Sequence, residues 1–169
     1  WYYKDANGEN LKGAQTIDGQ NVYFRDNGQQ VKGGLAKPNG FLDRYYDVDS
    51  GDLWTNRYVE FNGNWYYLGN DGKPVTGAQT INGQEVFFHP YHGFQIKGDF
   101  AGYYSEASTY GNYYDGQTGD KVTHKGFVQR KLGDWFYLDD KGDKVRGLQT
   151  IDGKLYYFIA GGASQYIQY

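Results

Sequence analysis

The 169-residue chain contains no cysteine and no methionine. Without cysteine, neither a disulfide framework nor a zinc–thiolate site can form. The missing methionine predicts a processed segment, or a domain excised from something larger. No apolar run approaches the roughly 18 residues of a membrane span, and no signal peptide opens the chain. Leu, Ile and Val are sparse, which argues against one thick aliphatic core. A sustained 3.6-residue apolar period is also absent, and Gly interrupts every window that would otherwise suit a helix. The formal net charge is only −3, with both signs interspersed. Nothing in that pattern draws polyphosphate over long range, so nucleic acid is a poor partner.

What is abundant is aromatic residues and glycine. Aromatic residues make up 20% of the chain, against 38% for all hydrophobic types, and there are 19 Tyr and 26 Gly. Flat rings must therefore do most of the burial. Glycine at this level, without a G-X-Y period, indicates many turns.

The chain repeats itself. "GAQTIDGQNVYF" (Gly13–Phe24) returns as "GAQTINGQEVFF" (Gly77–Phe88) and as "GLQTIDGKLYYF" (Gly147–Phe158). "WYYKDANGENLKG" (Trp1–Gly13), "WYYLGNDGKPVTG" (Trp65–Gly77) and "WFYLDDKGDKVRG" (Trp135–Gly147) precede them at constant offset. A third element, "RYYDVDSGDLWTNRYV" (Arg44–Val59), matches "NYYDGQTGDKVTHKGFV" (Asn112–Val128). The chain thus reads as a single domain, 1–169, of super-repeats 1–64, 65–134 and a partial 135–169, each built of smaller units of about 20 residues. Each small unit has two or three aromatics, a turn with Gly, and a short strand. The turns are "DANG", "RDNG", "DVDSG", "GNDG", "HPYHG", "DGQTG" and "DDKG". Aromatic and β-branched runs broken by Asn-Gly or Asp-Gly are hairpins. Seven hairpins and an incomplete eighth, "LYYFIAGGASQYIQY", are expected. An isolated hairpin is marginal in water, but a row of them stabilises itself through nearest-neighbour contacts. The expected fold is all-β, a β-solenoid of consecutive short hairpins, three per super-repeat.

Two segments pair glutamine with lysine: "QQVKG" supplies Gln30 and Lys32, and "FQIKG" supplies Gln95 and Lys97. Residues two apart on a strand face the same way. Each pair can address one edge of a ligand. Tyr45 and Tyr46, or Tyr113 and Tyr114, offer flat faces nearby, and Gln15/Thr16 and Gln79/Thr80 offer further polar groups. This combination suits a sugar, whose C–H face stacks on a ring while its hydroxyls need amides, carboxylates or amines. The plainer reading is that the rings are core and the Gln-x-Lys pairs face solvent. Other constellations are weaker. His89 and His92 stand three apart in a Pro-containing turn without a third ligand, so a turn role is expected and no metal. "DVDSGD" has Gly51 at its fifth place and Tyr58 at the twelfth, unlike a calcium loop. Asp139 and Asp140 lie at a tip, without the opposed geometry that glycoside hydrolysis needs.

The aromatic pair, Asp/Asn-Gly turn and Thr/Lys-Gly ending resemble the cell-wall-binding repeat superfamily of Gram-positive bacteria. "WYYLGNDGKPVTGAQTINGQEVFF" is most similar to the glucan-binding domains of glucansucrases, and the resemblance covers essentially the whole chain. Choline-binding members place a Trp directly after the Gly that ends the hairpin. Here those places hold Ala14, Ala78 and Leu148, which disfavours choline. The resemblance implies a non-catalytic carbohydrate-binding module for α-glucan such as dextran or isomalto-oligosaccharides. It implies no cofactor, and a larger parent chain with a catalytic domain, secreted or held at the cell surface. It also implies two pockets: one at Gln15, Thr16, Gln30, Lys32, Tyr45 and Tyr46, and one at Gln79, Thr80, Gln95, Lys97, Tyr113 and Tyr114. The third super-repeat has Gln149 and Thr150 but no Gln-x-Lys, so no complete third pocket is expected. The alternative is an anchoring or adhesion module for cell-wall or host glycan.

Overall fold

The computed structural model describes residues 1–103, 111–159 and 164–166. These residues are organised as all-β hairpins. In chain order, β1 (Gly13–Ile17) pairs with β2 (Gln20–Phe24), β3 (Gly33–Ala36) with β4 (Leu42–Tyr46), and β5 (Arg57–Phe61) with β6 (Asn64–Leu68). Then β7 (Gly77–Ile81) pairs with β8 (Gln84–Phe88), β9 (Asp99–Phe100) with β10 (Tyr113–Tyr114), and β11 (Gly126–Gln129) with β12 (Trp135–Leu138). Finally β13 (Gly147–Ile151) pairs with β14 (Lys154–Phe158), which also takes β15 (Ser164–Tyr166) on its other edge. The incomplete eighth hairpin lies partly outside the described residues. The one non-β element among them is a 3₁₀ turn, Ala101–Tyr103. Among the described residues no helix is long and apolar enough to cross a membrane.

The hairpin tips differ from the turns read in the sequence. Four five-residue ladders close on two-residue turns: Asp18-Gly19, Asn62-Gly63, Asn82-Gly83 and Asp152-Gly153. Both residues of each have positive φ, near +50° for Asp or Asn and near +80° for Gly. That is the primed turn whose twist matches the flanking strands, and it selects Asn/Asp-Gly. The seven turns named from the sequence instead each close a single bridge: Lys4↔Asn10, Phe24↔Gln30, Tyr46↔Leu53, Leu68↔Pro74, Phe88↔Gln95, Tyr114↔Lys121 and Leu138↔Lys144. The frame is therefore offset by half a unit. Aspartates fold these wider turns: Asp47 Oδ1 accepts from the N–H of Asp49 and of Ser50, both at 2.9 Å. Asp139 does the same for Lys141 and Asp143. An acid that closes its own turn bends the chain away after one bridge.

The chain divides into two compact units, Trp1–Thr76 with Tyr91–Phe94, and Gly77–Pro90 with Gln95–Tyr169. In the first unit one core cluster is Val31, Leu35 and Tyr46, and another is Leu42, Val59, Tyr66 and Leu68. In the second unit Phe100, Tyr113, Val122, Phe136 and Leu138 form a cluster. Each fully buried ring or aliphatic side chain contributes about 1.5–3 kcal/mol. Backbone bonds tie a turn to an earlier hairpin of the same unit: Leu53 N–H donates to Asn21 O, and Lys121 N–H to Glu85 O, both at 2.8 Å.

Candidate functional site

Val31 points into the core, so Gln30 and Lys32 on either side of it share the other face. Both close on the turn 47–52. The Gln30 amide lies so near Gly51 that a Cβ there would stand 2.3 Å from Nε2, and Gly51 also has φ +78°. Lys32 Nζ donates to Asp49 O at 2.9 Å and lies 5.3 Å over the Trp1 ring. The second unit repeats the arrangement. A Cβ on Gly119 would stand 2.4 Å from Gln95 Nε2 and 3.4 Å from Lys97 Cε. Gln95 is only 9% exposed. Each Gln-x-Lys pair is thus a clasp on the turn of the next hairpin. The turns it meets, "DVDSGD" and "DGQTGD", share an Asp head, a Ser/Thr and a Gly that admits the glutamine. Asp47 and Asp115 both sit below the usual carboxylate range, because backbone N–H groups of their own turns bond to the charged form.

The structure does not bring all the expected residues to these clasps. Gln15 Nε2 donates to Lys12 O at 2.8 Å, and Thr16 Oγ1 donates to Asn21 Oδ1 at 3.0 Å. Both are therefore engaged along β1 and its flanks. Gln79 and Thr80 lie on β7, with Thr80 exposed and opposite Glu85. The tyrosines require a correction. Tyr46 is 2% exposed, and Tyr113 and Tyr114 are equally part of the interior. Tyr113 donates its hydroxyl to Gln129 O at 2.6 Å. Burial raises all three phenols above the ordinary value. No face of these rings is open to a sugar. Tyr45 is half-buried, with Trp54 packed on it at 4.5 Å and the Arg57 guanidinium 4.5 Å over Trp54. His92 of the "HPYH" turn stacks on Phe41 at 4.2 Å, a packing role. Among the described residues no group of three or more His, Cys, Asp or Glu is placed to hold a metal ion.

The open aromatic faces belong to other residues. Trp1 is 80% exposed, and Tyr2 and Tyr3 are exposed beside it. With Ile17, Asp18 and Gln30 they line a cleft of about 200 Å³ in the first unit. In the second unit a wider cleft of about 420 Å³ runs over the turn of the second clasp, between Glu85, Asp115, Thr118 and Lys121. The Tyr-Tyr-Asp motif suggests stacking rings in the sequence, whereas the exposed rings in the first unit are those of the Trp-Tyr-Tyr trio. The signal was present: that trio opens with the largest ring and lies one hairpin earlier.

A model described as choline-binding repeat matches residues 11–58 and 75–127, more than half of the chain, and a cell wall binding repeat matches 56–73 and 125–144. Glucosyltransferase-I of Streptococcus downei is 41% identical over 98% of this chain. Glucosyltransferase-I of Streptococcus mutans is 44% identical over 92% of it. The chain spans 9–11% of the length of the curated relatives it matches. Among solved structures, choline binding protein F of Streptococcus pneumoniae is 27% identical, with a TM-score of 0.56, over 97% of this chain and 55% of its own. Hairpin plan, repeat spacing and these matches agree: the chain belongs to the choline-binding repeat family of cell-wall-binding repeats.

Proposed function

We propose that this chain is a non-catalytic module that binds α-glucan of the dextran type, as part of a secreted or surface-held glucansucrase of a Gram-positive bacterium. The observation that carries the reading is the cleft where Gln30 meets the exposed rings of Trp1, Tyr2 and Tyr3. A flat face and an amide edge side by side suit a pyranose, and pockets of this type combine apolar walls with a few placed polar groups. The identity to streptococcal glucosyltransferases over nearly the whole chain supports the parent and the ligand class. In super-repeat 65–134 a cleft over Asp115 and Thr118 lies on the turn that Gln95 and Lys97 clasp. Single pockets of this size bind weakly, and repetition along both module and polymer converts them into avidity. The module then keeps polymer near the parent's catalytic domain.

A second reading is anchoring to wall glycan. It is favoured by the similarity to choline binding protein F, whose structure was determined in the presence of a peptidoglycan analogue.

Affinity electrophoresis through dextran-containing gel tests the sites, comparing wild type with Lys32→Ala/Lys97→Ala. Retardation that weakens in the double variant supports both Gln-x-Lys pockets. Equal retardation keeps glucan binding and removes these lysines from it. No retardation of either removes dextran as the ligand.

A further inference from the structure

Tyr3 follows Trp1 by two residues, and Tyr137 follows Trp135 by two. Each stands in a cleft against the Gln-Thr-Ile hairpin that comes next. In the first unit the shared elements are Tyr3, Ile17 and Asp18; in the second they are Tyr137, Ile151 and Asp152. The same repeat junction thus opens a cleft twice, and the second is the larger, at about 290 Å³. Into it come Gln149 and Thr150 of β13, with Lys125 and Asp140 from the preceding hairpin. We propose that this cleft over Tyr137 binds one pyranose ring of a neutral glycan, giving the third super-repeat a site although it has no Gln-x-Lys pair.

The chemistry of the lining favours that ligand. The volume lies at the small end of the roughly 300–1,000 Å³ of small-molecule pockets, which suits a single ring. Tyr137 is the one aromatic wall, enough for the C–H face of a sugar. A quaternary ammonium needs a cage of several rings. Lys125 shares the lining with the carboxylates of Asp139, Asp140 and Asp152, and Asp139 is taken up by the N–H groups of its own turn; an amine and carboxylates side by side give sugar hydroxyls both a donor and acceptors. Gln149 Nε2 donates to Arg146 O at 3.0 Å, which fixes the amide and leaves its carbonyl oxygen as an acceptor. Lys125, Asp140 and Thr150 are exposed. In the Gln-x-Lys clasp of the first unit, by contrast, the lysine already bonds to a backbone carbonyl.

The proposal rests on the glycan-binding reading above, and its test separates the two. Isomaltotriose is titrated into the ¹⁵N-labelled whole chain, wild type and Lys125→Ala/Thr150→Ala. Both substituted residues are exposed, so the variant is expected to keep the wild-type spectrum elsewhere. The proposal expects saccharide-dependent shifts at Tyr137, Gln149 and Thr150, with affinity at that site about threefold to tenfold weaker in the variant. Shifts confined to residues around Gln30 or Gln95 overturn this site and leave the glycan reading standing. Equal shifts in both proteins overturn the role given to Lys125 and Thr150. Shifts at Tyr137 with choline and none with isomaltotriose overturn the ligand class. No shift anywhere with the saccharide overturns both readings.

Discussion

Two corresponding places in the repeat solve one packing problem in opposite ways. Two residues after the lysine of each Gln-x-Lys pair stands Gly34 in the first unit and Asp99 in the second. Two residues after the matching valines stand Phe61 and Arg130. In the first unit the Phe61 ring fills the space over Gly34, where a Cβ would come within 2.3 Å of it. In the second unit Asp99, 5% exposed, accepts from Arg130 Nε at 2.8 Å, and Arg130 Nη1 reaches Asp134 at 3.2 Å. Burial alone would lower the Arg130 pKa; the hydrogen bond and charge of Asp99 outweigh that and raise it. Lys144 lies 4.0 Å over Phe100 and 5.0 Å over Phe136 in the same region. The repeat therefore preserves the backbone plan while its contacts switch from ring-on-glycine to a buried ion pair. Such a pair adds little net stability over an apolar contact of the same shape, but breaking one half of it is costly.

Four measurements bear on this contrast. Asp99→Ala should have the largest effect, about 3 kcal/mol of destabilisation by urea unfolding, at the lower end of the range because Arg130 keeps Asp134. A loss under about 1 kcal/mol would mean that water already satisfies the pair. Gly34→Ala should cost about 1–3 kcal/mol, because Phe61 must leave its place. A neutral outcome would show that the ring has room to move. Importing the first unit's solution, as Asp99→Gly with Arg130→Phe, should bring stability back to within about 1 kcal/mol of wild type. If the double variant is as unstable as Asp99→Ala, the two places are not interchangeable.

The smallest effect concerns pH. Burial, followed by repulsion from Arg130 and Arg146, brings the Lys144 amine down to about 8. An unfolded lysine titrates near 10.4. Between these values the unfolded chain binds more protons, so through this group stability rises with pH across that window. The cost is fully present below pH 8. Buried tyrosines oppose the trend only above about pH 10. Stability relative to Lys144→Met should therefore shift in favour of the wild type between pH 7 and 9.5. A constant difference would place the Lys144 amine at its ordinary value.

Much of the architecture is readable from the residues. Asn-Gly and Asp-Gly announce the primed turns, because few other pairs adopt positive φ twice in a row. The three Gln-Thr-Ile segments announce the repeat. The half-unit offset is hidden in the sequence, since each aromatic strand serves a long ladder on one side and a one-bridge turn on the other. In a Tyr-Tyr pair, alternation puts one ring on each face but does not say which face is core. Tyr113 and Tyr114 are both buried, so alternation was misleading there as well. The Gln-x-Lys pairs are legible in the sequence, but their partners Gly51 and Gly119 are not, because the turn that receives each pair lies about 20 residues on. Asp99 and Arg130 are 31 residues apart and leave no local pattern. Aligning the super-repeats would have shown them, since Gly34 and Phe61 change together.

Retention of the whole chain on a ligand resin is the most direct test of glucan binding. Passed over dextran resin and choline resin in parallel, it should be held by dextran, released by isomalto-oligosaccharide, and pass choline resin unretained. Retention on choline resin with none on dextran would contradict it and put the wall-anchoring reading in its place.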